Sequence, residues 1–493
     1  MKRQHGRPRP LPLLRAGGLA LTLALSPGIS TAQAQDSDLP TIGGNGGGLI
    51  SEQQEAEIGR QVMVSLRRST PRITDPLVYD YLNAILYRLV PAAPLQDRNL
   101  TLILIDSPQL NAFAVPGGVV GVNGGLFLNA MTEQQFASVL AHELAHLSQR
   151  HFARRLEQQA NNAPLTLAGV IAGIVLSAVT QSDIGIATIA GTQALSAQNM
   201  LAYSRANEKE ADRIGMEILA NAGMDPRGMP EMFEIMMRQN RLQGNQVPEY
   251  LSTHPLTQNR VADSRNRAEQ YPHLDIRDGQ EYHLMRARLQ VHYASSPQAA
   301  VNTFRAYLED PEAQRHQAIE YGLAVAYLAN DQASKAEEIL RKLLSDNPER
   351  ITLNVTLAEA LIAQDKTGEA QQLMSDALAR NPGNYPITYT LAEAEIKAGD
   401  GQAAADHLRK LTRDLPQQEH LWLRLAEAEG LARNIVGVHQ ARAEYDVLMG
   451  DLESAQRQLR QAQEKLPAGS PQRQAVTERL STIARRMEAQ RKS

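Results

Sequence analysis

No cysteine occurs in the 493 residues. That absence removes disulfides, thiolate metal sites and cysteine nucleophiles together, so any metal must be held by histidine or carboxylate side chains. Aromatic residues make up only 4% of the chain, and 50 Lys plus Arg stand against 54 Asp plus Glu, a net charge of -4. With neither a basic footprint nor a supply of stacking side chains, no nucleic acid is expected as a partner. No apolar run reaches the about 20 residues that span a bilayer. The length exceeds one ordinary domain of about 100 to 200 residues, so at least two folded units are expected.

The N-terminus carries Lys2, Arg3, Arg7, Arg9 and Arg15 ahead of the apolar "GGLALTLAL", followed by Ala32 and Ala34 at A-x-A spacing. This is the pattern of an export signal, expected to span residues 1–34 and to be cleaved after Ala34. A cysteine-free chain is compatible with an oxidising compartment, because a chain of this size can bury a sufficient core without disulfides. Residues 35–50 include "TIGGNGGG", whose five glycines mark a flexible linker. Folded structure is expected from Ser51, where Ser51 and Gln54 have capping-box spacing and Ile58, Val62 and Leu66 recur one turn apart.

"LTLILID" (residues 100–106) reads as a strand, and the glycine-punctuated "NAFAVPGGVVGVNGGLFL" as a hairpin or bulged strand. Within it "GGVVGVNGG" has two readings, a structural hairpin or an unpaired strand edge open to an extended peptide. A helix is expected from Thr132. Residues 164–179, "PLTLAGVIAGIVLSAV", are apolar on all faces yet too short to span a bilayer undistorted. They fit either a buried helix or helical hairpin, or a loop making peripheral contact with a membrane surface or an unfolded client.

The C-terminal half is periodic. "LAVA" at Leu323 and "LAEA" at Leu357, Leu391 and Leu425 recur every 34 residues, in step with Pro348, Pro382 and Pro416, while Ala336, Ala370 and Ala404 hold equivalent small positions. A 34-residue period predicts tetratricopeptide helix pairs stacked into an α-solenoid. Pro467 follows Pro416 by 51 residues, one and a half periods, which predicts an extra helix or an irregular unit near "LARNIVGVHQARAEYDVLMGD". The fold expected is mainly α with a small β-sheet.

Chemistry concentrates in "LAHELAHLSQRHF". Residues four apart on a helix share one face, about 5.4 Å apart, so His142 and His146 can direct imidazoles at one metal. Glu143 lies beside them rather than in line, placed to take a proton from an attacking water, as in H-E-x-x-H peptidases. The competing reading is a solvated helix face, since Gln149, Arg150, Arg154 and Arg155 follow. His151, nine residues from His142, falls on the opposite face of a continuous helix and fails as a third ligand. In "SRANEKEADRIGMEILANAG", Glu208 borders the apolar stripe of Ala211, Ile214, Gly215, Ile218 and Leu219, whereas Glu210 and Lys209 read as solvated charges. Glu208 is therefore the candidate third ligand, and Asp212, one turn on, can hydrogen-bond the outer nitrogen of a ligating histidine. His254, before Pro255, sits where a rigid turn can present an imidazole, although from the residues alone it also reads as an ordinary surface histidine, and Arg260 can stabilise an oxyanion or pair with an acidic neighbour.

His142-Glu143-x-x-His146 followed by Glu208-x-x-x-Asp212 resembles the gluzincin metallopeptidases. With the export signal, "NAFAVPGG" before the motif, "STHPLTQNR" after it and the repeat tail, the likeness covers nearly the whole mature chain and is to periplasmic members of that family. The resemblance implies a zincin-like metallopeptidase domain at 51–272, a tetratricopeptide domain at 280–490, and one Zn2+ per chain. It also implies Glu143 as general base, Glu208 as third protein ligand, and His254 as a loop ligand that takes the fourth position and keeps the enzyme latent. Unfolded polypeptide is the implied substrate, and outer-membrane β-barrel precursors and the β-barrel assembly machinery are the implied partners, with a chaperone-like activity that promotes assembly. Two rivals stand: a non-proteolytic chaperone or scaffold with a structural four-coordinate zinc, and a membrane-embedded protease.

Overall fold

The computed structural model describes residues 51–160, 204–242, 249–273, 279–310 and 316–492. The export signal with its site at Ala34, the glycine linker and the apolar stretch 164–179 lie outside the described residues. Among the described residues no helix is long and apolar enough to cross a membrane.

Helix α1 (Glu52–Ser69) opens with the expected capping box: Gln54 N–H donates to Ser51 Oγ at 3.2 Å and Ser51 N–H to Gln54 Oε1 at 2.9 Å. Helix α2 (Pro76–Leu89) starts at Asp75, whose carboxylate accepts from Leu77 N–H and Val78 N–H, with Pro76 at the first helical position. Strands β1 (Thr101–Ile105), β2 (Ala112–Val115) and β3 (Val119–Asn123) form one sheet in the order β1-β3-β2. β3 pairs antiparallel with β2 and parallel with β1. The edge reading of "GGVVGVNGG" is thereby overturned: after β1 the chain doubles back so that β3 enters between the other two, and its backbone groups are taken on both sides. β1 and β2 are the outer strands, and the segment before α2 covers part of β1's free side, Ile73 N–H donating to Leu104 O at 3.2 Å. Gly117, at φ 81°, closes the β2–β3 turn, and Gly59 of α1 lies so close beneath it that a β-carbon would meet Pro116 O at 2.8 Å.

The short α3 (Gly125–Asn129) leads into α4 (Glu133–Ser148), the motif helix, capped by Thr132 Oγ1 accepting from Gln135 N–H at 3.2 Å. The second half of a capping box is absent, because Gln135 Oε1 accepts from Met131 N–H instead. α4 is a central helix: Phe136, Leu140 and Leu144 are fully buried, and so are His142, Glu143 and His146. The solvated-face alternative is excluded.

α5 (His151–Ala160), α6 (Arg205–Asn221), α7 (Gly228–Leu242), α8 (Glu249–Thr253) and α9 (Gln258–Ala268) complete the N-terminal half. α10 (Gln280–His292) then ties the two halves together. Its buried Tyr282 packs on Phe136 at a ring separation of 5.5 Å and donates its hydroxyl to Ala130 O at 2.8 Å. The hydrophobic core is continuous from Ile73 through Ala394.

Helices Ile351–Ala363 and Thr367–Arg380, Tyr385–Ala398 and Gly401–Asp414, and Glu419–Leu431 and Ile435–Leu448 form consecutive pairs. Ala336, Ala370 and Ala404 are fully buried, as expected where paired helices approach closely. Leu452–Lys465 is a further helix, so three helices rather than two fill the span from Pro416 to Pro467. That accounts for the irregular spacing.

Candidate metal centre

The site is made where α4 and α6 cross. Gly215 allows the approach: a β-carbon there would sit 3.3 Å from the Cα of His142 and 2.9 Å from Met229. α6 is capped by Ser204, which accepts from Asn207 N–H, so Glu208 falls in its first turn, facing α4, with Asp212 one turn further along. The third contribution comes from α8, which ends as His254 N–H donates to Tyr250 O at 2.9 Å and Pro255 forbids continuation.

Four donor atoms, one each from His142, His146, Glu208 and His254, lie within 4.8 Å of one another, and all four residues are buried. His142 Nε2 is 3.0 Å from His146 Nε2, 3.4 Å from His254 Nδ1 and 3.6 Å from Glu208 Oε2. Glu208 Oε1 is 3.3 Å from His146 Nε2 and 3.2 Å from His254 Nδ1. Donors about 2.1 Å from a tetrahedral zinc stand about 3.4 Å apart, so both the donor set and its spacing fit that ion. Crowding three imidazoles and a carboxylate without solvent has electrostatic consequences. Burial pushes His146 well below the usual imidazole range. Burial also works against charge on His142, yet the Asp212 and Glu208 carboxylates outweigh it and lift that imidazole to about 9. Burial opposes ionisation of Glu208, but the surrounding imidazoles, His254 foremost, hold it well below the usual carboxylate range.

Glu143 stands beside the donors and outside the set. Its Oε1 accepts from the Tyr250 hydroxyl at 3.1 Å and lies 3.5 Å from His254 Nε2. Burial raises its carboxyl above the usual range. The Tyr250 ring stacks on His254 with centroids 4.5 Å apart. Tyr250 was not singled out in the sequence, although its spacing of four residues before His254 is that of one helical turn.

Asp212 and Arg260 meet. Arg260 donates from Nε and Nη2 to the two Asp212 oxygens at 2.8 and 2.7 Å, and from Nη1 to Pro255 O at 2.8 Å. Its Nη1 is also 2.6 Å from Glu208 Oε2. Of the two roles open to Arg260 from sequence, this geometry is the acidic pairing. Asp212 Oδ1 is 3.1 Å from His142 Nδ1, near but poorly aligned for a hydrogen bond.

His151 does not lie where an unbroken helix would put it. It is not one of the metal donors, yet neither is it on the opposite face: it is fully buried, with Nδ1 2.9 Å from His146 Nδ1 and Nε2 3.1 Å from Glu210 Oε2. α4 stops at Ser148, and Arg150 takes φ 50°, so the chain turns and α5 restarts with His151 folded back against His146. No glycine or proline marks that break. Glu210, expected to be a solvated charge, is partly exposed and holds His151.

Two family descriptions match the chain: peptidase family M48 over residues 76–268, and the tetratricopeptide repeat over residues 361–429. The β-barrel assembly-enhancing protease of Escherichia coli (strain K12) is 33% identical over 456 residues, 92% of this chain and 93% of that one. The protein of the same name from Yersinia pestis is 35% identical over 336 residues, 68% of each chain. The mitochondrial metalloendopeptidase OMA1 of Bos taurus is 35% identical over 168 residues, 33% of this chain and 31% of that one. The H-E-x-x-H helix at the heart of the matched segment, and a likeness that continues through the repeats, make this chain a metallopeptidase that belongs to peptidase family M48 and, within it, to the β-barrel assembly-enhancing proteases.

Proposed function

We propose that the chain is a periplasmic zinc endopeptidase, held latent by His254, that degrades misassembled outer-membrane β-barrel precursors and, in a chaperone-like role, promotes their assembly. The observation that carries this reading is the convergence of His142, His146, Glu208 and His254 donor atoms within 4.8 Å, beside a buried carboxylate, Glu143, that is not among the donors. A purely structural zinc would need no such neighbour.

In this reading His142, His146 and Glu208 hold one Zn2+, and His254 occupies the fourth position until its loop moves. When bound, zinc supplies Lewis acidity to the scissile carbonyl and to the attacking water. Glu143 takes the proton of that water and returns it to the leaving amine, a task suited to a carboxyl that burial raises above its usual range. Asp212 and Arg260 keep α6 and the segment after α8 in place around the donors. The repeats recruit client chains and the β-barrel assembly machinery through the extended surface that stacked helix pairs offer. The names of the bacterial relatives support the client class, and the basic and apolar segment ending near Ala34 supports export. Peripheral membrane contact through residues 164–179 belongs to the same reading, on the strength of their apolar sequence.

The test compares His254→Ala with His254→Ala/Glu143→Gln on an unfolded model protein, both zinc-loaded. Cleavage by the first and none by the second is expected. If neither cuts while both are folded, the scaffold reading takes its place.

A further inference from the structure

Between the ligand imidazole of His146 and the surface of the protein stands a second imidazole, and the hydrogen-bond direction between them is determined by what lies beyond. His146 presents Nε2 to the donor cluster, 3.0 Å from His142 Nε2 and 3.3 Å from Glu208 Oε1. Its Nδ1 faces His151 Nδ1 at 2.9 Å, and His151 Nε2 faces Glu210 Oε2 at 3.1 Å. A carboxylate only accepts, so the nitrogen facing Glu210 must carry the proton. With Nε2–H on neutral His151, its Nδ1 is a bare acceptor, and the proton between the two rings belongs to His146 Nδ1. His146 is then left with an Nε2 lone pair aimed at the metal position. The opposite arrangement points a lone pair of His151 at the Glu210 carboxylate and an N–H of His146 into the donor cluster. Both contacts would be repulsive or useless for a ligand.

We propose that His151, oriented by Glu210, is a positioning residue that fixes the tautomer and ring orientation of His146 as a metal ligand. The proposal rests on the reading of His142, His146 and Glu208 as the metal site. It gives α6 a threefold part: Glu208 enters the donor set, Asp212 approaches His142 Nδ1 at 3.1 Å, and Glu210 reaches His146 through His151. The left-handed turn at Arg150 is what makes the relay possible. Arg150 N–H donates to Leu147 O at 3.0 Å, and its side chain bonds to Glu55 of α1, which pins the turn to the rest of the fold. Outer partners that orient a ligating histidine typically account for about 10- to 100-fold in metal affinity.

The experiment measures zinc affinity by competition with a chromophoric chelator, on the full mature chain, for the parent, His151→Phe and His151→Asn. Phenylalanine fills the ring volume without an acceptor, while the asparagine amide oxygen can stand in for Nδ1 and accept from His146. The expected result is a loss of about 10- to 100-fold for His151→Phe, and retention within about threefold for His151→Asn. A folded His151→Phe that binds zinc as tightly as the parent overturns the proposal. So does an equal loss in both variants, which would make the role one of packing. Should His151→Phe fail to fold, Glu210→Ala replaces it, with weaker zinc binding expected and unchanged binding refuting the relay. A parent chain that binds no zinc would instead refute the metal-site reading itself, so the two failures are distinguishable.

Discussion

The Tyr250 hydroxyl donates to Glu143 Oε1 at 3.1 Å while its ring stacks on His254, the two contacts falling on opposite functions of the site. One side chain therefore occupies an oxygen of the candidate base and steadies the imidazole that fills the donor set. A hydrogen bond to a charged group contributes about 1.5–3 kcal/mol and an aromatic pair about 0.5–1.5 kcal/mol, enough for a tenfold shift in an equilibrium between closed and open loops. Tyr250→Ala is expected to raise basal cleavage of an unfolded protein about tenfold with His254 still present. A rate equal to that of the unsubstituted chain would show that Tyr250 has no part in holding the loop.

Asp212 is expected to matter for stability before it matters for catalysis. Arg260 is 3% exposed, and Asp212 supplies two of its charge-assisted hydrogen bonds. Removing one partner of a buried ion pair costs about 3–5 kcal/mol, because the other charge stays behind. Asp212→Ala should lose that much in denaturant unfolding of the metal-free chain, and its zinc affinity should drop as well. Metal-free stability within about 1 kcal/mol of the parent would contradict the burial argument.

The pH dependence of metal binding follows from His142. Free of metal, its imidazole is raised to about 9, so near neutrality it carries a proton that a metal must displace. The sign is that acid weakens binding, about tenfold per pH unit while His142 is charged in the metal-free chain, whereas an ordinary histidine would begin to compete only below about 6.5. The metal-free fold behaves in the opposite sense: a raised pKa gives stability that is present below about 6.5 and is lost as pH rises through about 9. Zinc affinity measured across pH 7 to 9 should therefore climb, at about one logarithmic unit per pH unit. A flat profile over that range would remove the carboxylate effect on His142.

What sequence made legible was local or periodic. His142, Glu143 and His146 follow from spacing on one helix, Glu208 from its place beside an apolar stripe, and the solenoid from the regular recurrence of leucine, alanine and proline. What stayed hidden depends on where the chain bends and what returns to meet it. The helix wheel that sent His151 to the far side assumed unbroken α-helix, and the left-handed Arg150 has no signature residue. The strand order was equally closed to view, because a hairpin signal between β2 and β3 says nothing about β1 entering from the other side. His254 and Tyr250 reach the donors from α8, more than a hundred residues from α4; the turn before Pro255 made His254 a candidate, and the family resemblance set it apart from an ordinary surface histidine.

The joint between the two halves was hidden for the same reason. Arg67 and Arg72, either side of the end of α1, both bind the Glu419 carboxylate at the start of a repeat helix, Arg67 through Nε at 3.2 Å to Oε2 and Arg72 to Oε1. Arg67 is nearly fully buried, and burial, countered by Glu419, leaves its guanidinium pKa lowered. Glu419→Ala would strand two neighbouring positive charges in a poorly hydrated joint, with an expected cost of about 3–5 kcal/mol. Replacing all three charges with apolar side chains of similar volume, as in Arg67→Met/Arg72→Met/Glu419→Leu, removes the stranded charge and should recover most of that loss. Denaturant unfolding of the two variants against the parent separates the cases. If the triple variant is as unstable as Glu419→Ala, the joint depends on its ion pairs for more than charge balance; if Glu419→Ala unfolds like the parent, water reaches those guanidinium groups and the joint is looser than its burial implies.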